Sequence, residues 1–163
     1  MSMDDTLTDL SQRIGERLAQ RGWVMATAES CTGGWIAETI TAISGSSAWF
    51  DTGFVTYSNS AKQRLLGVPQ ATLDRHGAVS PQVVEAMVAG ALANSSASIA
   101  VAVSGVAGPT GGSPEKPVGT VCLAWAWPGQ AIFSETCHFD GDRNGIRRQT
   151  VIHALSTILY KAT

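Results

Sequence analysis

A chain of 163 residues, 44% hydrophobic and 15% charged, has room for one ordinary core and too much apolar character to stay disordered. A formal net charge of −2 and a pI near 5.8 exclude the broad basic footprint of a nucleic-acid binder. No apolar run nears the ~20 residues of a membrane span, and the acidic start "MSMDDTLTDL" is no signal peptide, so a soluble cytoplasmic protein is expected.

In chain order, Leu7, Leu10, Ile14 and Leu18 recur at helical spacing, with Asp4, Asp5 and Thr6 placed to cap the helix and Gly22 to end it. Residues 23–29, "WVMATAE", read as a buried strand. A second helix is predicted from Thr32, with Ile36, Ile40 and Ile43 on one face, and "SGSSA" breaks it. The aromatic, β-branched run 49–57 predicts a strand with a bulge at Gly53. "SNSAKQRLLG" predicts a short helix ending at Gly67, and 71–79 a turn of helix and a loop.

Ser80 and Pro81 open a helix over 80–95 as N-cap and first helical residue. Residues 98–104, "SIAVAVS", predict a central strand with both faces covered. The Gly- and Pro-rich stretch 105–117 cannot be regular. "VGTVCLAWAW" and "QAIFSETCHF" flank a turn and predict a hairpin, and 142–161 a last helix with Val151, Leu155, Ile158 and Leu159 as its stripe. Strands separated by helices favour parallel pairing, and the hairpin forces one antiparallel strand. The expectation is one α/β domain over 1–163, a three-layer α/β/α sandwich on a mixed, mostly parallel sheet.

Cys31, Cys122 and Cys137 lack the pairing of a disulfide framework, and neither CxxC nor HExxH occurs, so no metal site is expected. The aromatic pairs Trp49–Phe50 and Trp125/Trp127 would either seed a homo-oligomer or be buried; burial is the expectation.

The stretch "TAESCTGG", 27–34, sets Glu29, Ser30, Cys31 and Thr32 against two glycines where a strand turns into a helix. The first N–H groups of a helix lack intrahelical partners and favour negative charge. A hydroxyl there can attack a carbonyl while those N–H groups hold the oxyanion. Ser30 or Thr32 as a simple cap is the alternative. A serine also needs a base. His76, His138 and His153 carry no triad context, Lys161 is terminal and Lys116 lies in the Gly/Pro loop. Lys62, on a short helix just past a strand end, is placed to face Ser30, with Tyr57 as relay.

Taken together, "TAESCTGG", "GFVTYSNSAK", "GAVS", "SGVAGPTGGSPEKPVGTV" and "GDRNGIRRQ" resemble the nicotinamide-nucleotide amidase family. This family is the C-terminal domain of the competence/damage-inducible CinA proteins, here in its stand-alone form. The resemblance implies hydrolysis of nicotinamide mononucleotide (NMN) to nicotinate mononucleotide and ammonia, in pyridine-nucleotide salvage. It implies a serine–lysine acyl-enzyme without cofactor or metal, and a fold similar to the anticodon-binding-like α/β/α sandwich. Ser30 would be the nucleophile, Lys62 the general base and Tyr57 its helper. Ser60 stands where the family pattern has glutamate.

The expected substrate contacts come from three places. Glu29, Cys31, Thr32, Gly33 and Gly34 form the first turn, which would line the oxyanion region. Ser104, Gly105, Ala107 and Gly108 lie at the strand edge and glycine loop, where backbone N–H groups reach phosphate or ribose. Arg143 and Arg147, four apart on one helix face, either hold the phosphate or pair with Asp140 and Asp142. The rival chemistries are a nucleotide-binding module without turnover, a phosphohydrolase lacking its usual carboxylate cluster, and a cysteine amidase using Cys31.

Overall fold

The structure is a computed structural model and describes residues 3–162. Among these, the helices are α1 (Met3–Arg21), α2 (Trp35–Thr41), α3 (Asn59–Leu66), α4 (Gln70–His76), α5 (Pro81–Ala93) and α6 (Arg143–Lys161). The strands are β1 (Met25–Glu29), β2 (Phe50–Val55), β3 (Ile99–Gly105), β4 (Thr120–Ala126) and β5 (Phe133–His138). They form one mixed sheet in the order β2-β1-β3-β4-β5, so β3 is central as the apolar run 98–104 predicts. β1 pairs parallel with β2 and β3, and β4 runs antiparallel to both β3 and β5.

Helices cover both faces, and the faces differ in kind. Towards α1, α2 and α6 the sheet presents Met25, Val101, Val103, Val121, Leu123 and Trp125. Towards α5 it presents Ala26, Ala28, Ala100, Ala102, Cys122, Ala124 and Ala126. The alternation of strand side chains sorts large residues to one side and small ones to the other. The small face lets α5 lie close, with Val83, Val84, Met87, Val88 and Ala91 supplying the bulk. Trp125 and Trp127 are buried and stacked on each other at 6.5 Å, as the burial reading expects.

Several boundaries differ from expectation. α1 already begins at Met3, so Asp5 and Thr6 lie within it; the Asp4 side chain lies outside the described residues. α2 begins at Trp35 and not Thr32, because 31–34 form a tight turn with Gly33 and Gly34 at φ of 61° and 104°. That left-handed backbone suits glycine and cannot continue into a helix. The irregularity in β2 falls at Asp51 and not Gly53: Met25 pairs with Phe50 and Ala26 with Thr52. Gly53 instead lets α2 approach, since a Cβ there would lie 3.2 Å from the Ala37 Cβ. Residues 70–76 form a full short helix, and Ser80 caps α5 by accepting from the Val83 N–H at 3.3 Å.

Gly90 fixes where α3 sits. A Cβ at this position of α5 would collide with the backbone of Leu66, the last residue of α3. Gly90→Ala is therefore expected to destabilise the fold by about 1–3 kcal/mol, the cost of overpacking a rigid contact. A denaturant titration with an unchanged m-value and a lower midpoint is the measurement.

Candidate active site

The candidate residues gather at one edge of the sheet because three parallel strands end there. Ser30 follows β1, Thr56 and Tyr57 follow β2, and Ser104 and Gly105 close β3. The chain leaves β1 for β2 on one side and returns to β3 on the other. The gap between β1 and β3 is thus a topological switch point, the usual ligand crevice of an α/β sheet. The Ser30 N–H donates to the Val103 carbonyl at 3.1 Å, which ties the residue to β3.

Lys62 reaches this point from α3, which Ser58 caps by accepting from the Ala61 N–H at 3.0 Å. Its side chain is 1% exposed and crosses the protein interior to the sheet edge. Nζ donates to Ser30 Oγ at 3.0 Å and to the Thr56 carbonyl at 3.0 Å. Burial holds the Lys62 pKa below its ordinary value of 10.5. A buried amine favours the neutral form that a general base requires. Cys31, one residue on, is pushed up to about 11 by burial, which leaves it a thiol and a weak nucleophile at neutral pH.

Glu29 is fully buried and faces neither lysine nor open cavity. Its carboxylate accepts from Thr32 Oγ1 at 2.6 Å, the Ile36 N–H at 2.8 Å and the Ala37 N–H at 3.0 Å. It is the N-terminal cap of α2, and the first helical donors are thereby taken. Burial raises its pKa while these donors pull it down. The Gly33 N–H donates back to the Ser30 carbonyl at 3.0 Å, which leaves the Cys31 and Thr32 N–H groups outside the backbone network of the turn.

A cavity of about 240 Å³ opens on the dyad, and Ser30, Cys31, Tyr57, Lys62, Ser104, Gly105, Ala107 and Arg143 line it. Thr32, Gly33 and Gly34 are not brought to it; they face a separate depression with Trp35, Glu38 and Arg147. Tyr57 is 61% exposed and stands at the mouth, its hydroxyl accepting from Arg143 at 3.0 Å. Arg143 also donates to the Gly108 carbonyl at 2.8 Å, so one guanidinium joins the β2 edge to the glycine loop. Arg147 donates to the carbonyls of Cys31 and Thr32 at 3.0 and 3.1 Å and lies over the Trp35 ring at 5.5 Å. Both arginines line a larger neighbouring cavity of about 630 Å³ with Pro109, Val118 and Asn144. Asp142 bonds neither arginine there: it caps α6 by accepting from the Gly145 N–H at 2.8 Å.

Residues 7–161 match the family described as CinA C-terminal domain. The chain belongs to this family. Among CinA C-terminal domain relatives, the nicotinamide-nucleotide amidohydrolase PncC of Pseudomonas putida is 60% identical over 159 residues, covering 98% of this chain and 99% of the relative. The protein of the same name from Escherichia coli K12 is 54% identical, covering 95% and 94%. The solved structure of the competence/damage inducible protein CihA from Agrobacterium tumefaciens aligns with a TM-score of 0.91 at 46% identity, covering 95% and 94%.

The CinA motifs bring in residues that spacing alone passes over. Asn59, Ala78 and Val79 also line the dyad cavity. Asn59 precedes Lys62 by three residues on α3, a shared helix face that could have marked it. Ala78 and Val79 are apolar loop residues with no chemical signal of their own. The Thr56 carbonyl, which holds Lys62, is backbone and leaves no trace in residue type. Ser60 is exposed and accepts from Arg64 at 3.3 Å, away from the lysine.

Proposed function

We propose that this chain hydrolyses the carboxamide of NMN, giving nicotinate mononucleotide and ammonia, through an acyl-enzyme on Ser30. The observation that carries the reading is the 3.0 Å contact between Lys62 Nζ and Ser30 Oγ, both buried at the end of an open cavity. That distance lies within the ~2.6–3.2 Å reach of a nucleophile–base pair.

Ser30 passes its proton to neutral Lys62 as Oγ bonds to the carboxamide carbon. The N–H of Cys31, which lines the dyad cavity, is the donor for the oxyanion, since Glu29 occupies those of Ile36 and Ala37. Lys62 then gives its proton to the departing nitrogen as the C–N bond breaks and ammonia leaves. Water, deprotonated by the same lysine, attacks the ester and frees Ser30. The pyridinium ring withdraws electrons and eases both attacks. Tyr57 assists from the cavity wall it shares with Lys62, Ser104, Gly105 and Ala107 line the path to the ring, and the Gly108 carbonyl holds Arg143.

Arg143, open to both cavities, fits the phosphate better than Arg147, which lines the larger cavity but not the one that opens on Ser30. Thr32, Gly33, Gly34 and Glu29 shape that turn from behind. The reading takes the chain as a single amidase domain with the anticodon-binding-like variant of the α/β sandwich. It places the protein in the cytoplasm, which agrees with the absence of any helix long and apolar enough to cross a membrane among the described residues.

Ammonia release from NMN, measured in chelator with purified wild type, Ser30→Ala and Cys31→Ala, tests this. Turnover in wild type and Cys31→Ala, lost in Ser30→Ala, is expected. Binding of NMN without turnover in wild type would replace the enzyme with a nucleotide-binding module.

A further inference from the structure

One side-chain cluster outside the amidase cavity carries chemistry that hydrolysis leaves unused. Glu135 and Cys137 stand two apart on β5, so both project from the face that packs on α6. His153, midway along α6, meets them there, with Nε2 3.1 Å from a Glu135 carboxylate oxygen. One ligand atom from each residue, including the Cys137 Sγ, falls within 4.8 Å of the others. The Glu135 and His153 side chains are 40% and 33% exposed, so the cluster is reachable from solvent while walled by protein.

We propose that Glu135, Cys137 and His153 bind one divalent transition-metal ion of the zinc class. Thiolate sulfur, imidazole nitrogen and carboxylate oxygen are the three donor types zinc takes, at bonds of about 2.0–2.3 Å. Donors at those bond lengths around a tetrahedral ion stand roughly 3.3–3.8 Å apart, so side-chain rotations suffice to close the site. The mixed sulfur and nitrogen donors disfavour calcium and magnesium, which take oxygen. One thiolate and one carboxylate balance the charge of a divalent ion, and the imidazole enters neutral.

The His153 ring is held edge-on by Trp125 at 5.9 Å and Phe139 at 6.1 Å, an aromatic wall that fixes its direction. Three protein ligands leave a fourth position for water. The ion would fasten edge strand β5 to α6, the helix whose first turns carry Arg143 and Arg147.

Cobalt(II) is the probe, added to the whole chain in the absence of chelator. About one equivalent is expected to give a thiolate-to-cobalt absorption in the near ultraviolet, displaced by zinc. Cys137→Ser should lose the band while keeping NMN turnover, which shows that it folds. His153→Gln should weaken binding at least about tenfold, and Cys31→Ser and Cys122→Ser should retain the band. No band in folded wild type at millimolar cobalt would reduce the cluster to a Glu135–His153 ion pair. A band that persists in Cys137→Ser would place the thiolate elsewhere and overturn the assignment.

Discussion

Lys62→Met is expected to lower kcat for NMN roughly a thousandfold while leaving the protein at least as stable as wild type. The two effects have one cause. Lys62 is almost completely buried, and its Nζ donates to a serine hydroxyl and a backbone carbonyl, neither of which balances a positive charge. Loss of a general base typically costs about 10²–10⁴-fold in rate. Replacing a buried charge with an apolar side chain of similar length is often neutral or stabilising, here by about 1 kcal/mol.

Linkage supplies the sign with pH. Because burial holds the folded-state pKa of Lys62 below 10.5, the unfolded chain binds a proton that the folded chain has lost, in the window between the two values. Stability contributed by this residue therefore rises as pH climbs through that window, and Lys62→Met should remove the rise. Activity of the wild type should climb with pH along the same lowered pKa. Thermal melts and single-turnover rates across pH measure both. A variant that loses activity only because it unfolds would refute the assignment of Lys62 as base.

Glu29→Ala is expected to cost about 3 kcal/mol or more of stability and to lower kcat roughly tenfold to a hundredfold. The substitution strands the Thr32 hydroxyl and the N–H groups of Ile36 and Ala37. Each buried donor left unpaired costs about 1–3 kcal/mol. The rate falls because the turn that α2 anchors carries Ser30, and small misplacements of a nucleophile are expensive in rate. Glu29→Gln keeps one acceptor oxygen for Thr32 and Ile36 but turns an amide N–H₂ towards the Ala37 N–H, so its loss should be about 1–2 kcal/mol. If Glu29→Ala kept full stability and raised only KM, the carboxylate would be acting on the cationic substrate ring and not on the helix.

These two residues show how far the sequence could be read. Helical and strand periodicities located nearly every element, because burial of Leu7, Ile14, Val101 or Leu155 leaves a repeat in the chain. The meeting of Ser30 with Lys62 was also legible, since each follows the end of a neighbouring parallel strand. What Glu29 does was not. A carboxylate beside a serine looks the same whether it faces a substrate or caps a helix, and only the left-handed turn at Gly33 and Gly34 decides which way it points. Arg143 and Arg147 share a helix face, yet one spans the cavity mouth and the other clamps the turn. The Glu135–Cys137–His153 cluster escaped for a similar reason: no short motif links two strand residues to a helix residue sixteen positions past the second of them.

The connection of α6 to the first turn also governs when the enzyme can work. Ser30 and Lys62 are both made before residue 63, but the Ser30 backbone leans on β3 and the carbonyls of Cys31 and Thr32 are held by Arg147. A chain emerging from the ribosome thus carries nucleophile and base long before it carries their supports. Competence for hydrolysis therefore waits on α6, and removal of residues 143–161 should silence the Ser30–Lys62 pair.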